Sequence, residues 1–422
     1  MNTDALVIGA GTAGLTAAIR LAQGGLSVLV VATGEGCLPL AGGTVDVLGY
    51  APGRVADPLD ALPGFLDANP EHPYRLAGVA GLQQSAAWFL RVAEPLGYTG
   101  ELNRNRWVPT VLGGLRPTAL VPGAMAAADL SGGGEVLIAG IHGFRDFHPA
   151  LLAENLSQPA PAPAPSIRAR ATELDWPGSA GDLVPFRLAR RLEDAGIRRD
   201  LAAQLRGKLG GAVALGMPAV LGRERAAEVH ADLERRLNLP VFEIPGLPPS
   251  LPGLRLFDCL RRALRGAGGR LILGSSAVSA TRKGEAVTSV TITQASRRVE
   301  VSAGFYVLAT GGFATGGIER EPDGELREPV FGLPVHGLAP GQEPFGADYL
   351  AEHPLDRVGL RTDADGRPLG EAGAPFALNL YAAGAVLAGA LPWREKSGEG
   401  VSLATGWHAA EAILSSRRED AA

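Results

Sequence analysis

The chain has only two cysteines in 422 residues, Cys37 and Cys259, far apart and without metal-ligand neighbours. This argues against a disulfide framework or a zinc site, fits a reducing compartment, and leaves no metal to expect. A basic excess is also missing: 39 Lys and Arg face 44 Asp and Glu, a formal charge of -5. No lysine or arginine cluster marks a nucleic-acid or membrane surface. Long apolar runs are absent too. The stretch from Ala5 to Ile19 is interrupted by glycines and threonines and falls short of the ~20 residues that span a bilayer. With no basic leader ahead of it, the chain is expected to be cytoplasmic, without a membrane helix of its own.

What is present describes a globular protein of two or three domains, 46% hydrophobic and 20% charged. Its 58 glycines and 32 prolines suit the many tight connections of an α/β fold.

The stretch "ALVIGAGTAGLTAAIRLAQGGLSVLVVATG" (Ala5 to Gly34) reads as strand, glycine turn, helix and second strand. Gly9, Gly11 and Gly14 form G-x-G-x-x-G directly after the first strand. The first glycine permits the turn, the second admits a phosphate to the backbone, and the third lets helix and strand pack closely. Thr12 and Ala13 open the helix, whose N-terminus offers free N–H groups and partial positive charge. The second strand ends in Ala32 and Thr33, where dinucleotide sites usually carry an acid for the ribose.

Three further stretches narrow the ligand to a flavin. "FYVLATGGFATGG" (Phe305 to Gly317) is an apolar strand closing a three-stranded meander, and it ends in Thr310, Gly311 and Gly312. "NLYAAGAVLAG" (Asn379 to Gly389) brings Gly384 to a turn, and "GEGVSLATG" (Gly398 to Gly406) starts the last helix at Gly400 and Val401. That helix start would lie under the pyrimidine edge of a flavin, its dipole stabilising negative charge on the reduced ring.

Between these pieces lies a middle region. "GGEVLIAGIHGFRDFHPALLAENL" (Gly133 to Leu156) repeats strand, glycine turn and helix, and "QPAPAPAPS" (Gln158 to Ser166) is an exposed Pro-Ala spacer. Helical patterns from Arg187 to Leu237 flank an apolar strand. The expected fold class is α/β: a Rossmann-like FAD/NAD(P)-binding flavoprotein fold with an inserted α+β cap or substrate domain. The flavin-binding domain is expected to comprise 1–60, 254–325 and 376–422. The cap is expected over 61–253 and 326–375, with a Pro-Ala linker at 158–166.

Beside the N-terminal unit and "NLYAAGAVLAG" stand "AGGTVDVL" (Ala41 to Leu48), "EHPYRLAG" (Glu71 to Gly78), "AGIHGFRDF" (Ala139 to Phe147), "VLATGGFATGGI" (Val307 to Ile318) and, far more particular, "LPPSLPGLRL" (Leu247 to Leu256) and "REPVFGLPV" (Arg327 to Val335). On them the chain resembles, over nearly its whole length, the B-subunit family of anaerobic glycerol-3-phosphate dehydrogenase. The resemblance implies a flavin-dependent dehydrogenase component using FMN, with FAD as the alternative. Its partners would be an FAD-containing A subunit and an iron–sulfur C subunit at the cytoplasmic membrane. The complex would oxidise sn-glycerol 3-phosphate to dihydroxyacetone phosphate and pass electrons to quinone. FMN carries no adenosine, which suits a second strand without a ribose acid; backbone atoms or Thr33 could instead hold an adenosine. Gly42, Gly43 and Thr44 of "AGGTVDVL" join the cofactor candidates.

Such a reaction needs hydride transfer to flavin, a base for the hydroxyl proton, and cations for the phosphate. His142 and His336 are the candidate bases, since histidine titrates near neutrality; the bland reading of each is a polar loop residue. Arg255 and Arg327 are the candidate cations, set against the commoner role of structural ion pairs. Arg394 and Lys396 stand where the family pattern is glycine-rich. Two alternatives stay open. One is a fumarate-reductase-like FAD oxidoreductase with another substrate, although the histidine for covalent flavin attachment is lacking. The other is a non-catalytic flavin relay between partners.

Overall fold

The computed structural model describes residues 1–176, 183–339 and 341–420. Positions 177–182, 340 and 421–422, which fall inside the expected domain ranges, lie outside the described residues.

In chain order, the strands that build the two main sheets are β1 (Asn2–Ile8), β2 (Val28–Ala32), β3 (Gly134–Ile141), β4 (Ile167–Leu174), β5 (Ala214–Pro218), β6 (Val241–Ile244), β7 (Arg270–Leu273), β8 (Ser275–Lys283), β9 (Ala286–Gln294), β10 (Arg297–Leu308) and β11 (Leu380–Ala382). The helices that matter here are α1 (Thr12–Gln23), α2 (Tyr74–Val92), α3 (Pro149–Leu156), α4 (Ala195–Arg206), α5 (Ala226–Leu237), α6 (Leu251–Gly266) and α7 (Gly398–Asp420). Among the described residues no helix is long and apolar enough to cross a membrane.

The chain divides into two compact units. The first comprises residues 1–37, 61–92 and 260–422. Its parallel strands run β7-β2-β1-β10-β11, with Ile8 beside Leu308 and Leu308 beside Ala382. β1 is fully buried over Ala5–Ile8 and β2 over its whole length. Continuous apolar runs of this kind are what a parallel sheet covered on both faces requires. The long strand β10 plays two parts. Its first half pairs antiparallel with β9, and β9 with β8, giving the expected meander; its last three residues pair parallel with β11. The core is built from Leu6, Ile8, Leu29, Val31, Tyr306 and Leu308. On the helical side, α1 and α2 both pack against α7, and Trp88 of α2 donates to Gln23 Oε1 at the end of α1 (2.8 Å).

The second unit comprises residues 38–60 and 93–259. It corrects the expectation of an α+β cap. Its main sheet is wholly parallel, in the order β6-β5-β3-β4, with α3 crossing between β3 and β4 and α5 between β5 and β6. This is a parallel α/β arrangement, with two short antiparallel ladders attached to the same unit. The Pro-Ala stretch 158–166 is mostly exposed, as expected, but it is the connection between α3 and β4 inside this unit, not a linker between domains.

The expected domain boundaries also shift. Residues 38–60 go with the second unit because Val45 and Leu120 exchange backbone hydrogen bonds, and a Cβ at Gly253 of α6 would lie 1.8 Å from the Leu38 carbonyl. Residues 61–92 and 326–375 go with the first unit, where α2 lies on α7 and Leu360 N–H donates to the Val386 carbonyl.

Candidate functional site

At the carboxyl ends of β1, β10 and β11 the first unit gathers a set of glycine turns. Gly9 holds φ +115°, and a Cβ there would lie 2.1 Å from the Ala309 carbonyl oxygen. A Cβ at Gly14 would meet the Gly9 oxygen at 2.1 Å. Both are demanded by backbone-to-backbone packing. Gly11 differs: it is the N-cap of α1, and a Cβ there would find no heavy atom within 4 Å. The first turn of α1 carries no acid, and its N-cap makes no side-chain hydrogen bond. The positive end of the helix is therefore left for an anion approaching Gly11.

The other sequence candidates close around this turn. Gly311 takes φ +86° with Thr315 packed on it, and a Cβ at Gly312 would lie 2.8 Å from the Ala385 oxygen, so the Thr310–Gly312 turn touches the Gly384 turn. Thr310 Oγ1 is buried without a hydrogen-bond partner among the described residues, an unmet polar group that a ligand would satisfy. Gly384, at φ +79°, faces Ala13: a Cβ would lie 2.8 Å from the Ala13 methyl. Its N–H donates to Thr405 Oγ1 (2.9 Å), which donates to the Val401 carbonyl (2.6 Å), so Val401 in the first turn of α7 is tied to the same cradle. Gly400 immediately precedes it.

Two parts of the cradle escaped sequence reasoning. The loop after β2 returns to the glycine turn: Gly36 (φ +64°) sits so close that its Cβ would lie 2.8 Å from Gly11 Cα. Glu35, three residues beyond Ala32, thus belongs to the loop that returns to the glycine turn, while Thr33 is exposed. A run of short polar residues gave no cue that the chain doubles back there. The second is a buried network before α7. Tyr74 N–H donates to His72 Nδ1 (3.2 Å), which places the imidazole proton on Nε2, facing Glu395 Oε2 at 3.2 Å. Ser397 Oγ and Leu391 N–H also donate to Glu395. Burial pushes the Glu395 carboxyl up, but the bonds from His72, Ser397 and Leu391 outweigh it and hold the carboxyl below its usual range. Partners 323 residues apart cannot be paired from sequence.

Of the remaining candidates, Gly42, Gly43, Thr44, Arg255 and His142 belong to the second unit, and Arg327 and His336 to the first. Gly42, Gly43 and Thr44 make their contacts within the second unit: a Cβ at Gly43 would lie 2.6 Å from Pro252 Cβ, and Thr44 donates to Asp46 (3.0 Å) while accepting from Arg116. The expectation for Arg255 is corrected. It is buried in α6, donating from Nη1 to Glu243 Oε2 (2.6 Å), from Nη2 to Glu243 Oε1 (3.0 Å) and from Nε to the Gly222 carbonyl (2.9 Å). A guanidinium consumed in this way holds the second unit together and is not free to clamp a substrate. Arg327 lies on an exposed hairpin, paired with Glu321 at 3.0 Å. His142 is exposed in the second unit, facing Glu173 at 3.3 Å.

His336, in the first unit, is fixed by reciprocal backbone bonds with Gly359 (2.8 and 3.0 Å). Burial first, and then the charge of Arg361, lower its pKa against the opposing pull of Glu71 and Glu371. The ring is therefore neutral at pH 7 and able to accept a proton.

A family described as "FAD binding domain" matches residues 4–401. The probable B subunit of anaerobic glycerol-3-phosphate dehydrogenase from Halobacterium salinarum is 36% identical over 430 residues, covering 98% of both chains. The B subunit of anaerobic glycerol-3-phosphate dehydrogenase from Vibrio cholerae is 32% identical over 432 residues, covering 98% of this chain and 97% of that one. Among solved structures, a 3-ketosteroid delta1-dehydrogenase of Sterolibacterium denitrificans aligns with 98% of this chain and 100% of its own, at 15% identity and a TM-score of 0.49. The chain has a Rossmann-like FAD-binding fold and belongs to a flavoprotein oxidoreductase family, that of the B subunit of anaerobic glycerol-3-phosphate dehydrogenase.

Proposed function

We propose that this chain is the dehydrogenase component that oxidises sn-glycerol 3-phosphate to dihydroxyacetone phosphate, the electrons passing through partner subunits to quinone. The observation that carries this reading is the match along the full length of both chains to relatives named as the B subunit of that dehydrogenase. Such a component works beside an FAD-containing A subunit and an iron–sulfur C subunit at the inner face of the cytoplasmic membrane.

A bound flavin supplies the acceptor for the hydride leaving C2 of the substrate. The chain does the rest. The N-terminus of α1 at Gly11, Thr12 and Ala13 holds the flavin's phosphate, and Thr310 Oγ1 gains the partner it lacks. The first turn of α7, at Gly400 and Val401, would offer the positive end of the helix to negative charge on a bound flavin. His336, neutral, would take the hydroxyl proton at its unprotonated ring nitrogen.

The family match favours FAD. Glu35 is then the acid that replaces the missing one at Ala32, binding the adenosine ribose from the loop that touches Gly11. FMN is the second reading, favoured by the apolar end of β2. Release of the cofactor by denaturation, followed by its mass, separates the two. Anaerobic addition of glycerol 3-phosphate to the flavin-loaded chain tests the activity: bleaching of the flavin spectrum is expected. An unchanged spectrum, with reduction restored only by a partner subunit, would make the chain a relay.

A further inference from the structure

Two arginines of the first unit converge on one carboxylate. Arg357 Nη2 lies 3.3 Å from Glu352 Oε2, and Arg394 Nε lies 3.8 Å from Glu352 Oε1. Each guanidinium is also anchored independently. Arg357 Nη1 donates to the Gly389 carbonyl (3.3 Å), at the end of the turn that begins with Gly384. Arg394 donates to the Leu350 carbonyl (2.8 Å) and lies over the Trp393 ring at 4.7 Å. At 3.8 Å the Glu352 carboxylate is too far to hydrogen-bond Arg394 Nε, and this buried nitrogen has no partner among the described residues.

The carboxylate comes from a segment that packs little. Phe345, Tyr349 and Leu350 are 58%, 89% and 73% exposed. The segment's hydrogen bonds are largely local, from Gly346 N–H to His353 Nδ1 and from Leu350 N–H to Asp348. Two guanidinium charges against one carboxylate leave a positive balance. A phosphate monoester, which carries close to two negative charges and three acceptor oxygens at neutral pH, matches both the charge and the unmet donor. Arginine forks suit such oxygens better than lysine does.

We propose that Arg357 and Arg394 form the clamp for the phosphate of the substrate, and that Glu352 occupies this clamp in the empty protein as an internal competitor that the substrate displaces. The proposal rests on the glycerol 3-phosphate reading and names the residues that would recognise that substrate's anion. Displacement frees the 341–352 segment to reseat its exposed aromatic side chains over the bound ester.

The sign of one substitution separates a competitor from a structural salt bridge. In the flavin-loaded protein, Glu352→Gln is expected to tighten glycerol 3-phosphate binding by about 3-fold or more, because less of the empty protein is blocked. Calorimetry with glycerol 3-phosphate measures this, and inorganic phosphate is the probe that needs no turnover. Arg357→Gln and Arg394→Gln are expected to raise KM by about 10-fold or more, as loss of a charge-assisted hydrogen bond does, with kcat nearly unchanged. Weaker binding in Glu352→Gln, or an unaltered KM in both folded arginine variants, overturns the clamp. Should the arginine variants fail to fold, Glu352→Gln decides alone. If the flavin of the wild-type chain is not bleached while phosphate still binds tighter to Glu352→Gln, the clamp stands and the substrate reading falls. Bleaching with no effect of any of the three substitutions gives the reverse.

Discussion

Gly406 of the last helix lies directly on the carbonyl of Ala13 in the first turn of α1: a methyl at position 406 would sit 2.4 Å from that oxygen. The two ends of the chain thus meet backbone to backbone at the cradle. Gly406→Ala is expected to separate α1 from α7, costing about 1–3 kcal/mol as overpacking does. Denaturant midpoints and flavin content should fall together; unchanged stability would mean the helices can part freely.

The glycines of the G-x-G-x-x-G turn should divide by role. Gly9→Ala combines φ +115° with a clash against Ala309, so soluble folded protein is expected to be lost. Gly11→Ala meets nothing within 4 Å, so the apoprotein should keep its thermal midpoint. Flavin affinity should nevertheless drop by about 10-fold or more if Gly11 receives the phosphate as proposed, because the methyl would stand in its approach and cost it a charge-assisted hydrogen bond. Full flavin occupancy in Gly11→Ala would remove the phosphate from this turn.

Glu35→Gln discriminates between the two cofactors. If the carboxylate holds the adenosine ribose, FAD binding weakens by about 10-fold, the range of one charged hydrogen bond, while FMN binding is untouched. Equal effects on both, read by fluorescence quenching on titration, would exclude the ribose contact.

Arg255 offers a test of its structural role. Arg255→Met leaves Glu243 buried without its bidentate partner and should cost about 3–5 kcal/mol, whereas Arg255→Met with Glu243→Leu should recover most of that loss. KM for glycerol 3-phosphate should not change in the double variant. A large rise would return Arg255 to the substrate site.

His408 gives a stability signature with pH. Burial, the largest cause, lowers its pKa against the pull of the Ala364 carbonyl, which accepts from Nε2 at 3.0 Å, and of Asp365 and Asp363. Below the unfolded value of about 6.5 the unfolded chain binds a proton that the folded chain refuses. Stability should therefore fall as pH drops from about 6.5 and level off below the folded value. Urea midpoints followed from about pH 8 to pH 5 should decline less in His408→Gln. An equal slope would assign the effect elsewhere, and a steeper one would reverse its sign.

The order of elements was legible because it is local. β1, the glycine turn, α1 and β2 write their periodicity and their phi requirements into adjacent residues, and the same holds for the meander ending at Leu308 and the strand–turn at Gly384. The parallel character of the second unit was less legible, since a buried strand run such as "AVALGMPAV" does not say which neighbour it takes. The carboxylates at Glu35, Glu395 and Glu352 were silent for a related reason.

Sequence by itself determined the glycine turns and apolar strands at the two ends of the chain, because glycine spacing and apolar runs are requirements of short backbone segments. Tertiary structure alone decided which charged groups are consumed and which are available. Arg255 vanished into a pair with Glu243, while Arg357 and Arg394 met at Glu352. A charge is defined by what surrounds it, and those surroundings come from residues far away along the chain.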